Sequence, residues 1–340
     1  MNFVTIGDVH FDTPLKLLSD RMELGEERRL EQRKAFKKAI EYVKENKVEY
    51  LFITGDLYES QHVRSSTIEY INNLFKEIPF TKIFITPGNH DPYTKNSYYA
   101  TFNWEKNVKI FTSSLEIVEN DAVDLYGLGF SNYELRTNEI NNVTIKNPSK
   151  INILITHGDI YNESNYNPID LKSIKDKFDY IALGHIHKRD QYYPGSLISL
   201  GFDEPGEHGF IYGEIDENKH ISTTFIKADD KELIRKEIDV SNINSEEDLI
   251  EKINETEESN LYEIILTGYR NIDTNINLKL LNKNVIKLKD ETKVKVEINK
   301  NKNTLSGIFQ SKLQKKFDNK EIDEGTYEKI FELANKIMEK

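Results

Sequence analysis

Eight polar side chains fall in five short clusters along the 340 residues: Asp8 with His10, Asp56, Asn89 with His90, His157, and His185 with His187. They include five of the eight histidines, and the absence of cysteine excludes disulfides and thiolate metal sites. Carboxylate, imidazole and amide oxygen together suit hard or borderline divalent cations. Two such ions about 3.5–4 Å apart can clamp the attacking and leaving oxygens of a phosphate, if each keeps an open position. One carboxylate must bridge them, and Asp56, alone between the flanking pairs, is the expected bridge. Asp8, His10 and His187 are assigned to the first ion, and Asn89, His157 and His185 to the second. The Asp-x-His and His-x-His spacings fit because residues two apart in extended backbone point the same way. Asn89 adds a ligand oxygen without adding charge, as a site that must accept phosphate requires. Water held between two divalent cations titrates far below bulk water, which supplies a nucleophile near neutral pH without a side-chain base. His90, assigned to neither ion, is the catalytic candidate, placed to stabilise developing charge and protonate the leaving alkoxide. Asp91 is expected to orient an imidazole.

The elements that must position these groups are legible as apolar runs. Phe3 to Ile6, Tyr50 to Ile53, Lys82 to Ile85, Ile151 to Ile155 and Tyr180 to Leu183 each run directly into one cluster. Continuous β-branched and aromatic runs read as strands buried on both faces. Within Glu26 to Asn46, Phe36, Ile40 and Val43 recur at helical spacing, which reads as a crossover helix. The expected fold is therefore a layered α/β sandwich with parallel strands, its site beyond their carboxyl ends. After about Gly209 alternating strands take over: 210–215, 221–227, 233–240, 262–266 and 293–298, with a helix over 245–254. The expected organisation is a catalytic domain over 1–228, a small α+β capping domain over 229–300, and a helix pair over 301–340.

The bulk composition, 37% hydrophobic and 31% charged, is that of a globular chain, and no apolar run reaches membrane-spanning length. The first residues enter a strand with no export-type segment, so a cytoplasmic protein is expected. A net charge of −12 opposes bulk attraction to a polyanion, so a nucleic-acid substrate would need a local basic groove or a partner. In the tail, Ile308, Phe309, Phe331 and Ile337 lie on apolar stripes of two helices and are expected to bind a partner, since a short tail has little core of its own to cover.

Taken in order, Gly-Asp-x-His (7–10), Gly-Asp (55–56), Gly-Asn-His-Asp (88–91), His-Gly (157–158) and Gly-His-x-His (184–187) resemble the calcineurin-like metallophosphoesterases. Within them the chain resembles the SbcD-like and YhaO-like DNA repair exonucleases. It shares the Arg-bearing helix after the first motif, Tyr193-Pro194-Gly195-Ser196 after the last, a capping domain and a C-terminal helix pair. The resemblance implies manganese-dependent cleavage of DNA, a homodimer, and an SMC-like (SbcC-type) coiled-coil ATPase bound through the C-terminal helices in a double-strand-break repair complex. The dimer helices are expected near 74–78 and 98–104. One position departs: where many of these nucleases carry a histidine that places the DNA strand, this chain has Glu59, which bears on exo- against endonuclease mode rather than on the metal site.

Other readings use the same residues. A nucleotide or small-ester phosphodiesterase would need the same ligands, and a scaffold for the ATPase would need none of them. His62, His208 and His220 read as surface or loop histidines. Arg28, Arg29 and Arg33 read as a solvated helix face, with contact to a phosphodiester backbone as the alternative. Trp104 reads as core.

Overall fold

Among the residues described by this computed structural model, 1–19, 21–137, 139–162, 164–294 and 304–338, with backbone alone at 16, 332 and 335–338, two compact units appear, Met1–Leu233 and Ile234–Lys340. The first begins with β1 (Asn2–Ile6), α1 (Met22–Glu45), β2 (Tyr50–Ile53), α2 (Ser65–Lys76) and β3 (Lys82–Ile85). It continues with α3 (Tyr98–Thr101), β4 (Val108–Ile110), β5 (Glu116–Glu119), β6 (Val123–Leu128), β7 (Ile151–His157), α4 (Leu171–Ile174), β8 (Tyr180–Gly184), β9 (Gly209–Ile215) and β10 (Ile221–Lys227). Two sheets result, one ordered β10-β9-β1-β2-β3-β4 and the other β5-β6-β7-β8. The strands that lead into the clusters are parallel to their neighbours within each sheet: β1 to β2 and β2 to β3 in one, β7 to β8 in the other.

Period-two alternation decides which layer each side chain enters. From the first sheet Val4, Ile6, Leu51, Ile53, Ile83 and Ile85 face the helices, packing with Phe36, Ile40 and Val43 of α1 and Ile71 and Phe75 of α2. The intervening Phe3, Tyr50, Phe52 and Phe84 face the second sheet, where they meet Leu125, Ile153, Ile155 and Ala182. Leu154, Ile181 and Leu183 point the other way, to an outer layer around Ile174 and Phe178. The architecture is the expected layered α/β sandwich, and the two central sheets pack face to face through an aromatic-rich layer. Gly213 makes room for Phe3 there, since a Cβ would sit 2.2 Å from its ring. The segments expected at a dimer interface are largely built into this core: Leu74, Ile78 and Tyr99 are buried, and Trp104 packs on Phe75 and Tyr99.

Of the three arginines expected on a solvated face of α1, only Arg29 is fully on it. Arg28 is buried, its guanidinium donating to Asp229 Oδ1 at 2.9 Å and to the Ser199 carbonyl at 2.8 Å. Arg33 lies over the Tyr70 ring and donates to Thr67 Oγ1 at 2.8 Å; Arg29 remains exposed.

The second unit holds β11 (Leu233–Asp239), α5 (Glu246–Asn254), β12 (Leu261–Thr267), β13 (Tyr269–Arg270), β14 (Val285–Asp290), β15 (Lys293–Val294), α6 (Leu305–Asp318) and α7 (Glu324–Met338). Sheet β11-β12-β14 packs Ile264, Leu266 and Val285 against Leu249 and Ile253 of α5, whose N-cap is Ser245. The remainder of the strand expected over 293–298 lies outside the described residues. The helix pair has a core of its own, Leu313, Tyr327 and Phe331, with Phe309 and Phe317 packed on it. Phe331, 1% exposed, is therefore interior to the pair rather than a docking residue, and Phe309 leans on the same core. The exposed apolar side chains are Leu305, Ile308 and Leu333; the side chain of Ile337 lies outside the described residues.

Candidate metal centre

All five clusters sit at carboxyl ends of strands, but of two different sheets. Asp8 and His10 follow β1, Asp56 follows β2 and Asn89 with His90 follows β3 in the first sheet; His157 ends β7, and His185 with His187 follows β8 in the second. Extended backbone does not aim them. Asp8, His10 and Asp56 have φ of 47°, 53° and 49°, and His185 has 106°, all conformations that L residues adopt at a cost of about 1–3 kcal/mol each. Left-handed kinks, rather than strand pleat, swing the side chains into one cavity. Buried polar groups hold the kinks. Gln32 of α1 donates to the carbonyls of Val9 (2.6 Å) and His10 (3.0 Å). Asp91 accepts from the amides of Asp56 (3.1 Å), Leu57 (2.7 Å) and Gly88 (2.6 Å) and from Tyr99 Oη (2.6 Å). It orients two loops and no imidazole, contrary to expectation.

Donor atoms of Asp8, His10 and His187 lie within 4.8 Å of one another, as do those of Asp8, Asp56 and His157, and of His10, Asp56 and His90. Asp56 Oδ2 stands 3.6 Å from His10 Nε2 and 3.4 Å from His157 Nε2, midway between the two sheets' contributions. Asn89 Oδ1 is 2.9 Å from His157 Nε2 and 3.2 Å from His185 Nδ1.

His10 Nδ1 faces Glu59 Oε1 at 2.8 Å and His187 Nδ1 faces Glu204 Oε1 at 2.6 Å. Carboxylates accept, so in both neutral rings Nδ1 carries the proton and Nε2 is bare. The two Nε2 atoms nevertheless face each other at 3.1 Å. His157 repeats the pattern: Nδ1 donates to the Thr54 carbonyl (2.9 Å), leaving bare Nε2 against Asn89 Oδ1 and Asp56 Oδ2. Lone pairs opposed at such distances call for a cation between them, a proton or a metal. Together with the buried carboxylates within 4.8 Å of them, these residues suit a divalent metal ion.

The titration of the side chains has the same origin. Burial would push the His187 imidazolium down, but the Glu204 hydrogen bond and the Asp8, Glu204 and Asp56 charges prevail and hold it at about 9. Burial next to His157 drives His185 down to about 4. Asp56, although buried, is held below its ordinary range by His157, His10 and His90. Asp91 is raised to about 6 by burial and the Asp56 charge.

His90 stands at the rim, its side chain 44% exposed, its amide donating to Asp56 Oδ1 at 2.8 Å. Its Nδ1 meets Glu59 Oε2 at 2.9 Å, so Glu59 clamps His10 and His90 together. Hydrogen bonding to Glu59 raises His90 to about 9 against burial, with help from Asp56, Glu59 and Asp91. Glu59, Glu204, Gln32 and the Asp91 loop role were not legible as site residues, because each acts through a tertiary contact with no fixed spacing. His208 lies in a loop, as expected, but is buried there rather than at the surface, and it bonds Ser196 and the Glu204 carbonyl. His62 and His220 are exposed, the latter pairing with Asp216.

Comparison with known proteins agrees with this geometry. The family model described as Calcineurin-like phosphoesterase matches residues 1–189. The Bacillus subtilis (strain 168) protein named Uncharacterized metallophosphoesterase YhaO is 23% identical over 279 residues, spanning 75% of this chain and 67% of its own length.

Proposed function

The chain belongs to the calcineurin-like phosphoesterase family, and from that premise we propose that it is a DNA nuclease using two divalent ions, Mn²⁺ in the cell. In this reading it works in the cytoplasm as a homodimer, the nuclease subunit of a double-strand-break repair complex. Its partner is an SMC-like coiled-coil ATPase bound through the C-terminal helices. The observation that carries the metal chemistry is the pair of opposed acceptor contacts, His10 against His187 and His157 against Asn89 and Asp56. When bound, the ions supply charge neutralisation for the phosphate and a water acidified to act near neutral pH.

The chain's own residues do the rest. Asp8, His10 and His187 would hold one ion and Asn89, His157 and His185 the other, with Asp56 shared between them. His90, held protonated by Glu59 at the open rim, would stabilise charge on the phosphate oxygens and give a proton to the leaving alkoxide. Support for a nucleic-acid substrate comes from the rim. Tyr166, 37% exposed, lies over His185 with ring centroids 5.1 Å apart, and exposed Tyr161 stacks on Tyr193 in the same loop region. Such faces suit nucleobases.

The test is a Mn²⁺ and Mg²⁺ titration of the full chain on end-labelled single- and double-stranded DNA, with His90→Gln and a generic phosphodiester alongside. Metal-dependent DNA cleavage, lowered about 10²–10⁴-fold in the variant, is expected. Hydrolysis of the ester without DNA cleavage, even with the ATPase present, would replace DNA by a small phosphodiester as substrate.

A further inference from the structure

The Tyr193-Pro194-Gly195-Ser196 turn and the buried His208 have no part in the reaction as described, yet both converge on the outer side of His187. The Ser196 amide donates to the His187 carbonyl at 2.9 Å. Gly195 has φ +78°, and a Cβ there would lie 2.7 Å from the same carbonyl, so the turn rests directly on the backbone of this histidine. Farther along the loop Glu204 returns to the ring, its Oε1 accepting from Nδ1 at 2.6 Å with its side chain 12% exposed. One loop therefore grips His187 at backbone and ring together.

We propose that Glu204 is the positioning carboxylate of His187, that Ser196 and His208 hold it in place, and that the 193–208 loop thereby controls occupancy of the first ion position. This rests on the metal-centre reading above. The hydrogen bonds leave the carboxylate little freedom. Its Oε2 accepts from the Leu200 amide at 2.8 Å and from Ser196 Oγ at 3.4 Å. The Glu204 carbonyl accepts from Ser199 Oγ at 3.3 Å and from His208 Nε2 at 2.9 Å. A carbonyl can only accept, so His208 carries a proton on Nε2, while its Nδ1 lies 2.9 Å from Ser196 Oγ and 3.2 Å from the Ser196 carbonyl. His208 thus ties Glu204 to the turn that braces His187. The consequence for the metal position is directional: with Nδ1–H fixed on Glu204, Nε2 is the ring nitrogen left to a metal once its proton is displaced, and it faces His10 Nε2 at 3.1 Å. His185, the other histidine of the motif, makes a different contact, its Nδ1 facing Asn89. Loss of Glu204 should therefore affect one ion position and spare the other.

Mn²⁺ binding to the 340-residue chain, followed by calorimetry and by the electron paramagnetic resonance of Mn²⁺, separates the cases. The unaltered chain should take up two equivalents. Glu204→Ala should weaken one of them about 10–100-fold and leave the second unchanged. Glu204→Gln, which keeps an acceptor oxygen, should recover part of the affinity, and His208→Ala should weaken the same equivalent to a smaller degree. Thermal unfolding in chelator reports whether each variant is folded; if Glu204→Ala is not, Glu204→Gln and His208→Ala decide. A folded Glu204 variant that binds both equivalents normally, or loses both alike, overturns the proposal. A parent chain that binds no Mn²⁺ overturns it together with the metal-centre reading. DNA cleavage is not part of the readout, so failure to cut DNA sinks the substrate assignment alone.

Discussion

Glu59 touches two rings at once, and its charge has opposite consequences for them. Toward His10 it fixes a tautomer; toward His90 it stabilises an imidazolium, with a raised value of about 9. A general acid must be protonated to act, so activity through His90 is present below that value and is lost as pH rises through it. Removing the carboxylate charge lowers the histidine toward its ordinary value. In Glu59→Gln saturated with Mn²⁺, the alkaline limb of kcat/KM should move to lower pH by about one unit or more. An alkaline limb that stays in place would show that His90 is not the acid. In sequence this position is only a departure from a family histidine. Its role could not be read there, because nothing in spacing tells that Glu59 lies between two loops on neighbouring strands. The ligand types, by contrast, were legible, since carboxylate, imidazole and amide oxygen at strand ends carry their chemistry in their identity.

At the scale of elements the apolar runs gave the strands that carry the site, because a strand buried on both faces must be apolar at nearly every position. Three strands of the first unit left little trace, as did β13 and β14 of the second. β4 has three residues, β5 is an edge strand whose two apolar residues are flanked by Glu116 and Glu119, and β6 carries a buried Asp124 paired with Lys150 at 3.0 Å. Sheet membership was equally hidden, since the same run fits either of two facing sheets. Left-handed backbone at Asp8, His10, Asp56 and His185 was unreadable because none is glycine. Long helix α1 must be fixed rigidly, as its Gln32 supports two of those kinks. Its anchor is Arg28 with Asp229, at 3% and 2% side-chain exposure. Arg28→Ala leaves the carboxylate buried without its cation and should destabilise the first unit by about 3–5 kcal/mol in urea unfolding. Replacing both partners by apolar residues should restore most of that. A single-variant loss below about 1 kcal/mol would mean that solvent reaches Asp229 and that α1 is anchored by its apolar face instead.

For the molecule as a whole, every residue of the metal centre lies in the first unit, while the exposed apolar side chains Leu305, Ile308 and Leu333 belong to a helix pair in the second. That pair closes its own core around Leu313, Tyr327 and Phe331, so its exposed residues are not needed to keep it folded. No helix of the described residues is long and apolar enough to cross a membrane. The division predicts separable losses. Deleting 304–340 should leave Mn²⁺ binding and hydrolysis of a generic phosphodiester unchanged, whereas binding to the proposed coiled-coil ATPase should disappear. Leu305→Asp with Ile308→Asp should reproduce the loss of binding in the full chain with helix content preserved by circular dichroism, since both side chains already face water. Phe331→Asp should instead unfold the pair, because a carboxylate would enter its interior. If the truncated chain loses hydrolysis while the first unit remains folded, the helices serve the metal centre itself. If the double variant still binds the ATPase, the docking surface lies elsewhere on the chain.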